Sequence, residues 1–262
     1  MCGRFTRHYT WAQVRDFLDL HLGAAVEIDP SYNVAPTQRT PVCRLDHHGQ
    51  RELVSLRWGL VPAWSKSPTI APINARSETA AISAVFRSAF AARRCLVPIS
   101  GFYEWAQRPE GKRPYWIRPA GETVFCVAGL WEPAGGTEVD GAEAAGSFAL
   151  LTTAANASMH GLHERMPVIV PRADHARWLD VTADSRALFD PAQVPAVEAR
   201  PVSTRVGSPK INDATLIERV EPPIAAPGSE SSATPANGPS NSRDDHAGGA
   251  KGPAPREPGL FD

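Results

Sequence analysis

Residues 95–119 read CLVPISGFYEWAQRPEGKRPYWIRP, and the order of residue types here decides the class of fold. An apolar run passes into aromatics at Phe102, Tyr103 and Trp105, breaks at the turn-forming QRPEGKRP (107–114), and resumes at Tyr115–Ile117. Two apolar and aromatic runs joined by a Gly/Pro-bearing turn read as neighbouring strands, so 102–118 is predicted to be an antiparallel hairpin. The same texture extends outward in TPVCRL (40–45), LVSLRWGLVPAW (53–64), TVFCVAGLWEP (123–133), SFALLTTAA (147–155), MPVIV (166–170) and VEARPVS (197–203). Helical spacing interrupts these strands at 10–22, where Thr10 is the expected N-cap, at about 77–91 and at 172–180. Strands do not alternate regularly with helices, so the expected class is α+β around a mostly antiparallel sheet. The glycine-rich stretch 133–147 is expected to be a surface loop.

The chain has 262 residues, which suits one domain with an appended tail. From Pro222 onward, Pro, Ala, Gly and Ser dominate and large apolar side chains almost vanish, so the tail lacks the burial needed to offset the entropy of ordering. The predicted organisation is a folded domain over 1–221 and a disordered tail over 222–262. The chain carries 27 Lys and Arg against 28 Asp and Glu. A balance this neutral argues against an indiscriminate nucleic-acid binder and leaves room for a local basic groove. Cys2, Cys43, Cys95 and Cys126 are far apart, without a C-x-x-C pair, so no metal site is expected. No apolar stretch approaches a membrane span and the start lacks a signal-peptide pattern, which gives an expectation of a cytoplasmic protein with no membrane contact.

The chain opens MCGRF. If Met1 is trimmed, Cys2 presents an α-amine and a thiol on adjacent carbons, groups that titrate near pH ~7.7–8 and ~8.5. Other polar residues stand where bland strand design would not put them. APINARSET (71–79) sets Asn74, Arg76 and Glu78 at period two, so in an extended segment all three share one side. Glu104 sits between two aromatics, and His163 and Arg165 precede the apolar MPVIV. A carboxylate, an imidazole and an amide are what general acid–base work and an oriented nucleophile require. Each also has a structural alternative: Asn74 as a turn cap, Glu104 as an ion-pair partner, His163 as a ligand of a loop carbonyl.

MCGRF, YNVAPTQ (32–38), RWGLVPAW (57–64), INARSET (73–79), CLVPISGFYEW (95–105), AGLWE (128–132) and HERMPVIV (163–170) resemble, in order across about 1–210, the signature blocks of the SRAP family. These are SOS response-associated peptidase-like proteins that crosslink to abasic sites in DNA. The resemblance implies a barrel-like, mostly antiparallel sheet with peripheral helices, and no cofactor. It implies that the Cys2 amine forms a Schiff base with the open-chain sugar aldehyde and that the thiol then closes a thiazolidine. Asn74 is expected to position the amine, Glu104 to handle its proton and stabilise the imine, and His163 to assist opening of the sugar. Gly3 would permit close approach of the DNA, Arg4 and Arg76 would meet phosphates, and Trp64 would stack on an exposed base. The implied partner is single-stranded DNA bearing an abasic site, bound by a monomer that joins the nucleoid on damage. A lyase side reaction and self-processing are implied as well. The family often has Asn where Gly207 stands, which leaves a polar contact there in doubt.

Two other classes stay open on the sequence. Glutamine amidotransferase domains also begin Met-Cys-Gly, although the one Asn-Gly pair here is Asn237-Gly238, in the tail. A non-covalent single-strand binder would use Arg4, Arg76 and Trp64 and leave Cys2 incidental. At the far end, Leu260-Phe261 resembles short motifs that dock into a sliding clamp, against the plainer alternative of a chance apolar pair.

Overall fold

The predicted hairpin is present, over 101–119, and the chain crosses from one sheet to the other just before it. In the computed structural model, residues 2–20, 27–65, 71–134 and 146–221 are described; the predicted tail with Leu260 and Phe261, and most of the predicted loop at 133–147, lie outside them. Strand β1 (Phe5–Arg7) is followed by α1 (Trp11–Leu18), β2 (Ser31–Val34), β3 (Arg39–Leu45), β4 (Arg51–Trp58), β5 (Asn74–Arg76) and α2 (Arg87–Ala92). Next come β6 (Arg94–Ile99), β7 (Gly101–Arg108), β8 (Gly111–Pro119), β9 (Phe125–Glu132) and β10 (Ser147–Ala154). The last elements are β11 (Arg165–Pro167), β12 (Ile169–Val170), α3 (His175–Leu179) and β13 (Val197–Pro201).

One sheet runs β13-β8-β7-β1-β2, all neighbours antiparallel. The other runs β11-β10-β4-β3-β6-β9-β12, and a further pairing of β10 with β9 closes β10, β4, β3, β6 and β9 into a ring. This is the expected α+β, barrel-like architecture; the parallel pairs are β10 with β4 and β10 with β5. In the ring, β6, β9 and β10 are buried at nearly every position because both faces are covered, whereas β3 and β4 carry Arg39, Arg44, Arg51, Glu52 and Arg57. Val42, Cys95, Val97, Phe125, Val127, Phe148 and Leu150 join a cluster with Phe5, Phe102 and Ile117 of the first sheet. Their neighbours Cys43, Leu96, Cys126, Ala128, Ala149 and Leu151 pack instead with Val14, Leu18, Ala89 and Trp178 from the helices.

Two sequence expectations change. The run 95–106 is two strands, not one: it leaves the ring at Ser100, whose N–H bonds the Thr6 carbonyl at 2.8 Å, and enters the other sheet at Gly101. The Trp116 indole lies directly on Gly101, 2.4 Å from where a Cβ would stand, so the crossing point must be glycine. The helix expected over 77–91 shrinks to α2, preceded by turns. Ser83 Oγ accepts from the Val85 N–H at 3.4 Å, and such side-chain competition favours turns over a continuous helix. The predicted cap of α1 is present: Thr10 Oγ1 accepts from Gln13 N at 3.3 Å and Gln13 Oε1 from Thr10 N at 2.8 Å, an arrangement that satisfies two orphan donors.

Candidate active site

Phe5 anchors the N-terminal strand, packing on Trp58 with ring centroids 4.8 Å apart. Upstream of it, the Tyr103 N–H donates to the Arg4 carbonyl at 2.9 Å, so contact with β7 reaches Arg4. Cys2 has no solvent exposure and sits in the same apolar cluster as Trp58, Phe102, Phe148 and Met159. Burial, reinforced by the Glu104 carboxylate, pushes its thiol far above the ordinary range, so at neutral pH it is a protonated thiol.

Asn74 opens β5, whose parallel pairing sets it beside Leu150 of β10. Its Nδ2 donates to the Cys2 carbonyl at 2.9 Å, while its Oδ1 is buried and accepts no hydrogen bond among the described residues. That Oδ1 is an acceptor held next to the backbone of Cys2. Glu104 lies on β7 two residues from Phe102, so both face the cluster containing Cys2, and it is 3% exposed. An amide and a carboxylate therefore address one residue.

His163 stands on the loop between β10 and β11, beside Leu162, which packs on the Cys2 cluster. Its Nδ1 accepts the Arg165 N–H at 3.0 Å, so the neutral ring carries its proton on Nε2 and presents a donor there. Arg165 straps the loop down. Its two Nη atoms meet the two Glu78 oxygens at 2.9 Å each, and Nη2 also donates to the Thr152 carbonyl at 2.7 Å. The Arg165 guanidinium in turn holds the Glu78 carboxyl below its usual range. Arg108 adds a second tie, donating to the Gly161 carbonyl at 3.2 Å and to the Tyr115 hydroxyl at 3.2 Å. The expected shared face of Asn74, Arg76 and Glu78 extends through Arg76, where β5 ends; Glu78 falls in the following turn.

Arg76 is exposed at the end of β5. Trp64 is 59% exposed, on a segment whose base is closed beside Asn74 by Leu60 N to Pro72 O at 3.0 Å and Trp58 Nε1 to Ile73 O at 2.9 Å. Trp58 and Phe102 are wholly buried. Gly3 lies between Cys2 and Arg4. Arg4 is held by protein: it donates to Asn33 Oδ1 at 2.7 Å, the Val206 carbonyl at 2.8 Å and the Gly207 carbonyl at 3.1 Å. Cys43, Cys95 and Cys126 are buried free thiols. Among the described residues no His, Cys, Asp or Glu cluster could hold a metal ion, and no helix is long and apolar enough to cross a membrane.

The family model described as SOS response associated peptidase (SRAP) matches residues 1–209. The chain belongs to the SRAP family. This SRAP chain is 34% identical over 226 residues to the abasic site processing protein YoaM of Bacillus subtilis, a match covering 83% of it and 98% of that relative. It is 30% identical to the abasic site processing protein HMCES of Xenopus tropicalis, over 77% of this chain and 68% of the other. With YedK of Escherichia coli, also an abasic site processing protein, identity is 29% over 84% and 100% of the two chains. A solved protein of Bacteroides thetaiotaomicron shares the fold with a TM-score of 0.71 at 23% identity, covering 84% of this chain and all of that one.

Sequence reasoning passed over Asn33, a buried polar residue that accepts from Arg4. It is 1% exposed, and its Nδ2 reaches the carbonyls of Ser208 and Ile211 at 2.9 and 2.8 Å. The available signal was an uncharged polar residue preceding the apolar Val34 inside a short strand.

Proposed function

We propose that this SRAP protein processes abasic sites in single-stranded DNA by forming a covalent crosslink through Cys2, after removal of Met1, within a domain spanning 1–221. The observation that carries the reading is the convergence of Asn74 and Glu104 on the N-terminal cysteine. Its relatives YoaM, HMCES and YedK are abasic site processing proteins, which supports it.

The order of events follows from the thiol being buried and protonated. The α-amine attacks first, adding to the aldehyde carbon of the open sugar. Loss of one water gives the imine, with Glu104 accepting the amine proton and facing the positive charge that develops. The Cys2 sulfur then bonds to the same carbon, the C=N π pair moves to nitrogen, and the thiol proton ends on that nitrogen, closing a five-membered thiazolidine. Asn74 fixes the Cys2 backbone so that the amine points one way, and the Nε2–H of His163 donates to the sugar ring oxygen as it opens. Arg76 and Trp64 supply a phosphate contact and a stacking surface on the approach. A single strand exposes the lesion without the cost of unpairing. The crosslink shields the lesion; strand cleavage from the imine is the competing outcome, and the peptidase in the family's description reduces here to exposure of Cys2.

Intact mass before and after incubation with a single-stranded oligonucleotide bearing one abasic site tests this. The expected result is a starting mass without Met1, a product heavier by the oligonucleotide less one water, and no product from Cys2→Ala. Trimmed protein that forms no adduct overturns the reading; an adduct that survives Cys2→Ala overturns the assignment of the nucleophile.

A further inference from the structure

Few backbone bonds fix Cys2. Strand β1 has three residues and pairs with β7 at Phe5–Phe102 and Thr6–Gly101, and before Phe5 the backbone bond holding the chain to β7 is the one to the Arg4 carbonyl. Side chains must therefore set where residues 2–4 lie, and the Arg4 fork makes the most such bonds. Three of the five N–H donors of a guanidinium are used on Asn33 Oδ1, Val206 O and Gly207 O. Asn33 completes the arrangement by donating from Nδ2 to the carbonyls of Ser208 and Ile211. Arg4 and Asn33 thus clip the N-terminal strand to segment 206–211, about two hundred residues away in sequence, where Val206 is buried against Tyr103 and Trp116.

Gly207 fits this arrangement without a side chain. The atom Arg4 uses there is the carbonyl, and a Cβ at Gly207 would meet nothing within 4 Å. The Gly207 carbonyl is available to Arg4 whatever side chain stands there.

We infer that Arg4 and Asn33 form a latch that positions Cys2 for reaction, in place of the phosphate contact expected for Arg4. The inference rests on the crosslinking role proposed above. Carbonyl and amide dipoles aimed at the guanidinium fix its plane, which a lysine ammonium cannot reproduce, so the two roles separate on Arg4→Lys. A phosphate contact survives as a point charge, whereas a latch is lost.

The test compares wild type, Arg4→Lys, Arg4→Ala and Asn33→Ala in three measurements. Amide hydrogen exchange without DNA reads the latch directly; single-turnover crosslinking separates the limiting rate from the half-saturating DNA concentration; binding to an undamaged single strand gives the salt slope. Expected are faster exchange at residues 3–7 and 203–211 together in both Arg4 variants, and a limiting rate lowered about ten-fold or more through misplacement of the amine. Half-saturation stays within about two-fold and the salt slope is unchanged. A wild-type limiting rate in Arg4→Lys, or a salt slope reduced by about 0.7 in Arg4→Ala, overturns the latch. Absence of crosslinking in trimmed wild type removes the proposed function, while exchange and salt slope still decide the latch. Should Asn33→Ala fail to fold, the two Arg4 variants carry the comparison.

Discussion

Replacing Gly101 with Ala tests the crossing between the two sheets. The new Cβ would lie 2.4, 2.5 and 2.6 Å from Cε2, Nε1 and Cζ2 of Trp116, against ordinary carbon contacts of about 3.5–4.0 Å. The indole must therefore withdraw by about 1 Å or the β1–β7 ladder must part. Overpacking of a dense interior costs about 1–3 kcal/mol. Withdrawal also breaks the bond from Trp116 Nε1 to Thr6 Oγ1, 3.2 Å long and buried, which adds about 1–3 kcal/mol for the stranded donor. Together the loss is about 2–6 kcal/mol; with a urea m-value of about 2–3 kcal/mol/M, the midpoint should fall by about 1–3 M. Urea titration followed by far-ultraviolet circular dichroism reads this, and the same change in a Trp116→Leu background should cost less than about 1 kcal/mol, since the clashing ring is gone. A Gly101→Ala midpoint within about 0.3 M of wild type, or an equal loss in the Trp116→Leu background, refutes the reasoning.

Asn74→Asp places an oxygen against the Cys2 carbonyl where the donor stood, and should slow single-turnover crosslinking about ten- to a hundred-fold while binding to an undamaged strand, followed by fluorescence anisotropy, stays level. Trp64→Ala should weaken that same binding by about 1–3 kcal/mol and leave the melting temperature unchanged. His175 is wholly buried against the edge of Phe17, and burial, with Arg51 adding to it, lowers its pKa from 6.5 to about 4. The unfolded chain therefore binds the extra proton in that window, so urea midpoints should be steady above about pH 6.5 and decline as pH falls toward 4; His175→Gln should flatten that decline. Glu78→Gln loosens a half-exposed pair and should change stability by only about 0–1 kcal/mol, yet hydrogen exchange at 160–165 should rise, because Arg165 loses its strap.

The hairpin was legible because strand texture and a Pro/Gly turn are local properties, and the cap of α1 was legible because Thr10 and Gln13 are three residues apart. Why residues 95–106 break at Ser100 was not legible: the next residue, Gly101, lies under an indole fifteen positions further on that needs a bare backbone beneath it. The helix over 77–91 was overestimated because spacing of apolar residues carries no record of Ser83 competing for backbone donors. At the site, Cys2, Asn74 and Glu104 could be grouped from their chemistry and their motif blocks. The protein partners of Arg4 were not legible, because two of its acceptors are the carbonyls of Val206 and Gly207, which any residue type supplies and no pattern announces.

Strand β10 pairs with β4, β5, β9 and β11, partners drawn from residues 51 to 167. During synthesis the ring cannot close until residue 154 has emerged, and contacts of such long sequence separation form slowly. Cys2 is thus made early and enclosed late. For the Met1 removal proposed above, the whole interval of elongation precedes the enclosure of the Cys2 side chain.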